Sequence, residues 1–396
     1  MKTWPKVKLG EVILQIRGVS YAPQNASEMP KDDYVPILRA HNIQDDGLDF
    51  AKLVYVDSSK VSERQFLQEG DIVICASSGS KGLVGKAARF NGSGRFSFGA
   101  FCKAARPCGG NSRYLAHFFA SKSYRREISN LAAGANINNI KNEHIDRLEI
   151  PLPPLAEQER IAAELDAVVA TLKKRQAQLA ELDALVESRF VELFGDPATN
   201  PKGWTIKILK DCLAEIQSGN REKGGALLSG VPSLGAEHIN NDGGFNLQPE
   251  KLKYIGEEFY CNLKRGKIQI GDVLLVKDGA TTGKTGYVTS SFPFEKAAVN
   301  EHVFLLRSKP IMLNVFLFHY LRSKVGKERV LGKFHGATIG GITKDFALIE
   351  IPVPPLELQE RFAAEVERVE ALKVKVRDGI AETQTLFDAL TQKYFG

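Results

Sequence analysis

Two glycine-rich segments carry residue types that could bind a phosphate group. Residues 277–285 read Lys-Asp-Gly-Ala-Thr-Thr-Gly-Lys-Thr and follow an apolar run. A nucleotide-binding P-loop needs four residues between its first Gly and the Gly-Lys-Ser/Thr, whereas three residues separate Gly279 from Gly283. The spacing therefore argues against an ATPase site. Exposed amides and lysines can still approach a nucleic-acid backbone, so DNA contact and a plain surface loop are the two remaining interpretations.

A related glycine-rich segment occurs in the first half of the chain. Residues 76–86 read Ala-Ser-Ser-Gly-Ser-Lys-Gly-Leu-Val-Gly-Lys, and no Ser or Thr follows Lys86. Gly-Asp and an apolar run precede the two loops, at 70–74 and at 271–275, which predicts a buried strand leading into each loop. The two segments share a frame but differ in their polar side chains.

Two further pairs of segments have similar apolar and turn residues in both halves of the chain but different polar residues. Residues 35–43 and 231–239 predict a short strand and a turn, whereas residues 134–141 and 336–344 alternate polar residues with Ile and predict an edge strand or loop. Asn can pair bidentately with adenine, although turn formation explains these Asn residues equally well. The candidate DNA contacts are Arg39, His41, Asn42, Ser77, Ser78, Ser80, Lys81, Lys86, Asn136, Asn138, Asn139, Lys141, Asn220, Arg221, Glu237, His238, Lys277, Asp278, Thr281, Thr282, Lys284, Thr338 and Lys344.

No catalytic motif is found along the chain. The sequence lacks the Asn/Asp-Pro-Pro-aromatic tetrapeptide of amino-methyltransferases, His-Glu-x-x-His, Gly-x-Ser-x-Gly, and Gly-x-Gly-x-x-Gly after a strand. His117 and His319 lie in aromatic-rich helical segments, which favours packed side chains over metal ligands. The sequence therefore predicts no catalytic residue, metal site or bound cofactor, and any chemistry is expected to belong to another chain.

The paired segments belong to a tandem duplication with an offset of 201 residues. Residues 150–160 read Ile-Pro-Leu-Pro-Pro-Leu-Ala-Glu-Gln-Glu-Arg, and residues 351–361 read Ile-Pro-Val-Pro-Pro-Leu-Glu-Leu-Gln-Glu-Arg. The offset persists to Phe194-Gly195 and Phe395-Gly396. Each copy is long enough to be a whole domain followed by a helix.

A long helix with a narrow apolar face is predicted after each Pro-rich segment. Apolar residues recur in alternating steps of four and three, and such a stripe needs a partner helix to cover it. The predicted seam residues are Ile161, Leu165, Val168, Leu172, Leu179, Leu182, Val186, Leu193, Phe362, Val366, Val369, Val376, Ile380, Phe387, Leu390 and Tyr394.

The chain length between the copies favours antiparallel pairing of these helices. The helix from Leu155 to Phe194 has 40 residues and spans about 60 Å. Nine residues separate it from Trp204, a reach of about 30 Å at most. Antiparallel pairing lets the first helix lead to the second copy and the second helix return. Two unrelated surface helices are the alternative, which the matched register disfavours.

Charge is distributed unevenly along the duplication. Residues 1–150 hold 21 Lys and Arg against 15 Asp and Glu, and residues 201–350 hold the same numbers. The helical parts are acidic, with 5 against 9 in residues 151–200 and 6 against 8 in residues 351–396. Two basic regions and an acidic spacer suit contact with a polyanion at two points, although an excess this small also occurs in other soluble domains.

The composition indicates the cellular compartment in which the protein is expected. No apolar run approaches the roughly 18 residues of a membrane span, and the first residues show no apolar signal region. The five cysteines contain no Cys-x-x-Cys pair, which favours free thiols over disulfides or a zinc site. Cys102 and Cys108 are expected to be buried or half-buried, and the chain is expected in the cytoplasm.

The duplicated Pro-rich segments with Gln-Glu-Arg, the Phe-Gly-Asp-Pro at 194–197 and the Lys-Gly-Trp at 202–204 resemble specificity subunits of type I restriction-modification systems. The resemblance covers essentially the whole chain. It implies an α+β fold in which two tandem-duplicated target-recognition domains are separated by two long helices forming an antiparallel coiled coil. The corresponding boundaries are 1–150 and 197–350 for the recognition domains, and 151–196 and 351–396 for the helical spacers.

The resemblance also implies a function and partners. Each recognition domain would read one half of a split double-stranded DNA site, with two adenine-N6 methyltransferase subunits and the nuclease/ATPase restriction subunits completing the complex. S-adenosylmethionine and ATP would belong to those partners. Because the loops differ between the copies, an asymmetric bipartite site is expected. A coiled-coil scaffold that binds acidic proteins is the alternative function, and competition by duplex DNA distinguishes the two.

The second predicted helix departs from the first at two places. Leu358-Gln359 replaces the Glu157-Gln158 of the first helix and removes a carboxylate from the first turn, where the helix dipole favours one. Gly379 lies inside the second predicted helix, where it costs about 1 kcal/mol relative to Ala. A local kink or an asymmetric contact with the partner helix is therefore expected there.

Overall fold

The chain folds into two compact units in a computed structural model that describes residues 4–79, 82–134, 139–336 and 340–396. Unit 1 comprises Met1–Ala177 and Val376–Gly396, and unit 2 comprises Gln178–Lys375. Both boundaries fall inside the long helices, so each unit combines one globular region with half of each helix. Within the described ranges, no helix is both long and apolar enough to span a membrane.

The described part of unit 1 contains twelve strands and, before the first long helix, three α-helices besides several short 3-10 turns. The strands are β1 (Lys6–Lys8), β2 (Ile13–Arg17), β3 (Ala26–Ser27), β4 (Tyr34–Leu38), β5 (Ile43–Gln44), β6 (Gly47–Leu48), β7 (Val54–Asp57), β8 (Ile72–Cys75), β9 (Ala87–Arg89), β10 (Ser97–Phe98), β11 (Cys102–Pro107) and β12 (Glu149–Pro151). The helices are α1 (Ser112–Ala120), α2 (Lys122–Gly134) and α3 (Asn142–Asp146). The order β2-β11-β8-β9 makes one sheet and β10-β4-β7-β3 another, while β1 pairs with β12 and β5 with β6.

Strand β8 lies between two layers, as the apolar run after Gly70-Asp71 predicted. All four residues of β8 are buried. Ile72 and Ile74 share one apolar cluster with α1, whereas Val73 and Cys75 share another with Leu38 of β4. Because successive strand residues point to opposite faces, this short run joins the helical layer to the second sheet.

The first long helix, α4, spans Leu155–Phe194, which are the bounds predicted from the sequence. Gln158 fixes its start: the side-chain amide oxygen accepts a hydrogen bond from the Asn111 backbone at 2.8 Å, and the nitrogen donates to the Pro153 carbonyl at 2.7 Å. Gln158 is buried, so its polar atoms are satisfied by the loop before α1 and by the Pro-rich turn.

Unit 2 repeats the plan of unit 1. Its described elements are β13 (Thr205–Ile208), α5 (Leu209–Cys212), β14 (Leu213–Ser218), β15 (Val231–Leu234), β16 (Tyr254–Ile255), α6 (Glu257–Asn262), β17 (Val273–Val276), β18 (Thr285–Tyr287), β19 (Ala298–Val299), β20 (Val303–Ser308), α7 (Asn314–Arg322), α8 (Lys324–Leu331), β21 (Phe334–His335), β22 (Gly341–Ile342) and β23 (Glu350–Val353). The sheets follow β14-β20-β17-β18 and β16-β15-β19, with β13 paired to β23 and β21 to β22. The second long helix, α9, spans Leu356–Phe395.

A buried Arg–Asp pair occurs at the same place in both units. Asp71 accepts two hydrogen bonds from the Arg106 guanidinium, at 2.9 and 2.8 Å. Asp272 accepts the equivalent pair from Arg307, at 2.7 and 3.0 Å. The Gly-Asp that precedes each buried strand therefore has a structural role, because the bidentate pair ties that strand to its neighbour in the sheet.

The long helices pair antiparallel within each unit. In unit 1 the first half of α4 packs against the last half of α9, and the Tyr394 hydroxyl of α9 donates to the Glu164 carboxylate of α4 at 2.8 Å. In unit 2 the last half of α4 packs against the first half of α9, and the Phe194 ring lies 5.4 Å from that of Phe362. All sixteen predicted seam residues are buried or half-buried.

The cysteines are only partly as expected. All five cysteine residues are free thiols, and Cys102 is buried. Cys108 is exposed, which corrects the expectation for that residue, because it follows β11 in a surface turn whose backbone bonds to Val12.

Candidate nucleic-acid interface

Two segments predicted to contact DNA meet a third segment, the turn before β11, at one edge of unit 1. The backbone nitrogens of Ala76 and Ser77 both donate to the Phe101 carbonyl, at 2.9 and 3.0 Å. Ile140 donates to the Ala76 carbonyl at 2.7 Å, and Asn139 forms a β-bridge with Ser77. The glycine-rich loop after β8, the turn before β11 and the segment after α2 are therefore held side by side by main-chain bonds.

Arg39 lies at this edge, directly after β4. The parallel pairing of β4 with β10 puts Leu38 opposite Phe98, so Arg39 comes beside Gly99. Arg39 makes no ion pair among the described residues, and its Nε atom is buried without a hydrogen bond. Phe101, two residues after Gly99, is an exposed aromatic side chain, and His41 is exposed with Nε2 3.3 Å from the Lys52 carbonyl oxygen.

The other predicted DNA contacts of unit 1 are ion-paired, half-buried or outside the described residues. Lys86 is paired with Asp45 at 3.0 Å, and Lys141 is exposed 3.7 Å from Glu143. Ser78 is half-buried at the start of the loop. The remaining predicted contacts of this unit lie outside the described residues: Ser80, Lys81, Asn136 and Asn138.

The corresponding edge of unit 2 is assembled by equivalent bonds. Lys277 receives a hydrogen bond at its carbonyl from Ile342, at 2.7 Å, and donates from its backbone to the His302 carbonyl at 3.0 Å. Asp278 forms a β-bridge with Gly341, and its carboxylate lies 2.6 Å from His302 Nδ1. The glycine-rich loop, the turn before β20 and the β21–β22 hairpin therefore meet here.

A polar cleft of about 280 Å³ opens beside this edge. Three predicted contacts line it: Asn220, whose amide oxygen accepts from Arg265 at 3.2 Å, the exposed Arg221, and Glu237, which is paired with Lys253. Asn300, Glu301 and His302, from the turn before β20, also line it. The cleft brings cations and carboxylates together, which suits hydrogen bonding to base edges better than binding to phosphates alone.

The remaining unit 2 candidates lie on or near the glycine-rich loop. Thr281 is exposed, Thr282 donates from its hydroxyl to the Gly279 carbonyl at 2.7 Å, and Lys284 is half-buried. Lys344 is exposed after β22. Thr338 lies outside the described residues.

The structure corrects the prediction for Asn42 and His238. Both side chains are buried, and both end a short 3-10 turn at the same place in the repeat. Asn42 accepts from the Arg39 backbone at 2.9 Å and donates to the Asp49 and Ala51 carbonyls. His238 accepts from the Gly235 backbone at 2.8 Å, with Nε2 3.0 Å from the Lys251 carbonyl oxygen. These residues shape the turn and present no free group to DNA.

The residues of the turn before β11 and β20 are not among the contacts predicted from the sequence. Gly99-Ala100-Phe101 and Asn300-Glu301-His302 are aligned by the same offset of 201 residues, and they differ at every position. Comparing the copies at that offset would have singled them out. Neither turn carries a glycine-rich or Asn-rich pattern, so its residues resemble an ordinary connection before a strand.

Comparison with known proteins decides the family. The type I restriction modification DNA specificity domain matches residues 1–183 and again residues 201–382. The chain belongs to this family. It is thus a type I restriction-modification specificity subunit with two recognition domains, as the resemblance implied.

Relatives of this family align along most of the chain. The EcoKI specificity subunit of Escherichia coli strain K12 is 29% identical over 426 residues, which cover 99% of this chain and 88% of that protein. The StySPI specificity subunit of Salmonella potsdam is 44% identical over 185 residues, or 46% of this chain and 40% of that protein.

Solved structures share the fold. The S subunit of a type I restriction-modification system from M. genitalium has a TM-score of 0.54 at 15% identity, covering 99% of this chain and 96% of that one. A chain from a structure of type I R-M complex assembly also has a TM-score of 0.54, at 20% identity, covering 100% of this chain and 98% of that one. The predicted α+β class with two long helices is confirmed.

Proposed function

We propose that each recognition domain of this specificity subunit reads one half of an asymmetric, bipartite double-stranded DNA site. The observation that carries the proposal is the duplicated edge: the same strand ends and loops meet in both units through main-chain bonds, but the side chains that they present differ. A common frame with different polar groups is what reading two unlike half-sites requires.

Charge supports contact with DNA at both recognition domains. Residues 1–150 and residues 201–350 each carry 21 basic against 15 acidic residues, whereas both helical segments carry an acidic excess. Lysines and arginines on these two regions neutralise phosphates and fix the register, while the edge side chains distinguish bases.

The helix pair sets the gap between the half-sites and provides the surface on which partner subunits dock. The partners are two methyltransferase subunits, which methylate adenine N6 with S-adenosylmethionine, and restriction subunits, which use ATP to drive cleavage. Catalysis belongs to those subunits. The five free thiols support a reducing compartment, and we place the complex in the cytoplasm.

The alternative is a scaffold whose basic regions bind acidic proteins. It shares the helix pair but predicts no preference for duplex DNA. The family match and the polar cleft of unit 2 favour the DNA-reading role, because a cleft with both amides and carboxylates matches the donors and acceptors of base edges.

Salt-dependent binding tests the proposal. The chain, co-purified with its methyltransferase, is titrated with random-sequence duplex DNA at increasing NaCl. We expect the affinity to fall by about 10³-fold or more between 50 and 200 mM salt if six or more phosphates are contacted. Binding that ignores salt, or that an acidic protein displaces while duplex DNA does not, would support the scaffold instead.

A further inference from the structure

The ends of two parallel strands lie side by side at the same place in both units. In unit 1, β4 and β10 pair with Leu38 opposite Phe98, so Arg39 and Gly99 come next. In unit 2, β15 and β19 pair with Leu234 opposite Val299, so Gly235 and Asn300 come next. Each unit therefore has one glycine and one large polar residue at this point, but on opposite strands.

The large side chain lies against the glycine in each case. A Cβ atom placed on Gly99 would lie 3.9 Å from Cγ of Arg39. A Cβ atom placed on Gly235 would lie 2.5 Å from Nδ2 of Asn300. The same position in the fold is thus filled from β4 in one unit and from β19 in the other, by side chains of different chemistry.

The residues two positions after Arg39 and Gly235 also differ in their hydrogen-bonding chemistry. His41 follows Arg39 by two residues and is exposed, whereas Glu237 follows Gly235 by two and lies over that glycine beside Asn300. Burial opposes ionisation of Glu237, but the Lys253 ammonium holds the pKa of that carboxyl below its ordinary value. The position in unit 1 therefore presents nitrogen donors. The position in unit 2 presents the Asn300 amide beside a charged acceptor; its Oδ1 accepts one hydrogen bond from the His302 backbone at 3.0 Å and keeps a second lone pair for a base.

We propose that Arg39 and Asn300 are specificity-determining residues, with Arg39 reading a guanine and Asn300, assisted by Glu237, reading a base that carries an amino group. This inference rests on the proposed function. A guanidinium without an ion pair can donate two hydrogen bonds to O6 and N7 of guanine. An amide can pair with N6 and N7 of adenine, and a carboxylate can accept from the amino group of adenine or cytosine.

Single substitutions read out the assignment separately for the two half-sites. The chain is co-expressed with its methyltransferase, and N6-methyladenine is mapped across the host genome. Arg39→Ala is expected to reduce a guanine preference at one position of one block from about 10-fold or more to near parity. Asn300→Ala is expected to remove a preference for adenine or cytosine at one position of the other block only. The base whose preference is lost shows whether Asn300 reads adenine or cytosine.

A double variant tests directly whether the base preference changes when the polar residue is moved from the end of β4 to the end of β10. The double variant Arg39→Gly/Gly99→Asn places the unit 2 arrangement in unit 1, where a Cβ on Gly99 has room because its nearest neighbour is 3.7 Å away. We expect the guanine preference at that position to change to a preference for an amino-bearing base, with the rest of the motif unchanged.

The outcomes separate this inference from the function on which it rests. A parent chain that gives no split motif contradicts the proposed function itself. A parent that gives a split motif, with every position unchanged in Arg39→Ala and Asn300→Ala, overturns the inference alone. Arg39→Lys guards against misfolding: it keeps the charge but loses the bidentate geometry, so it should form the complex and still relax the same position.

Discussion

The guanidinium of Arg175 in α4 lies against the backbone of Gly379 in α9, within unit 1. Its Nη1 atom donates to the Gly379 carbonyl and to the Thr383 hydroxyl, which itself donates to the same carbonyl at 2.8 Å. The glycine thus creates the asymmetric contact expected from the sequence, and α9 continues through it as one helix. The equivalent residue in α4 is Gln178, which is exposed.

Gly379→Ala is expected to destabilise the protein, although Ala is the better helix former by about 1 kcal/mol. The new Cβ would lie 2.8 Å from Cζ of Arg175, so the guanidinium must move away from its acceptors. We expect a net loss of about 1–2 kcal/mol, measured by denaturant unfolding. In an Arg175→Ala background the same substitution should be neutral or stabilising, and equal losses in both backgrounds would contradict the contact.

His319 should make the stability of unit 2 depend on pH. Its ring is buried among Phe190, Phe318 and Phe362, its Nε2 has no hydrogen bond, and burial lowers its pKa from 6.5 to about 3. Because the unfolded chain binds the proton more readily, the stability of the native state falls as the pH drops below about 6.5.

His319→Phe should remove the loss of stability that the parent protein shows at low pH. Over the window from pH 6.5 to 5 we expect the parent to lose about 2 kcal/mol that the variant keeps, as measured by unfolding at several pH values. His41→Gln, at an exposed histidine, is the matched control and should leave the profile of the parent unchanged. Parallel profiles for the parent and His319→Phe would show that His319 is not the responsible group.

Gln158 should matter more than its place in a surface-like Glu-Gln-Glu sequence suggests. Replacing it by Ala leaves the Asn111 amide and the Pro153 carbonyl without their partner in a buried site. We expect a loss of about 2 kcal/mol in the free energy of unfolding, whereas Gln176→Ala, on the exposed side of α4, should change it by less than about 0.5 kcal/mol. Equal effects would mean that the helix start is not fixed by this side chain.

The two copies and their long helices could be predicted from the sequence because they depend on an internal repeat and on regular apolar spacing. The 201-residue offset predicts the two copies, and the length of the regular apolar spacing predicts the bounds of α4. Strands β8 and β17 followed from short apolar runs bounded by Gly-Asp. These features are local in sequence and repeat in register.

The site was less accessible, because its residues meet through strand register. Nothing in the sequence places Arg39 beside Gly99, or Asn300 over Gly235, since that depends on the parallel pairing of β4 with β10 and of β15 with β19. Burial likewise decides the role of polar residues: Asn42 and His238 read as DNA contacts until the structure shows them bonded to the backbone of their own turn.

Lengthening both long helices should change the gap between half-sites and nothing else. One heptad inserted after Ala177 and another after Lys375 adds about 10 Å to each helix, the rise of about three base pairs, and keeps the seam in register. Methylome mapping should show the same two blocks with a longer gap. A heptad inserted in only one helix is the control, and it should abolish methylation because the paired faces no longer match.

The central claim is that this single chain specifies two separate half-sites, and the methylome of the unaltered protein tests it most directly. The chain is expressed with its methyltransferase in a host that lacks both, and N6-methyladenine is mapped at base resolution. The account predicts one split motif, with two unlike defined blocks around an unspecified gap. A single continuous block, a palindrome, or no new methylation from a stable complex would contradict it.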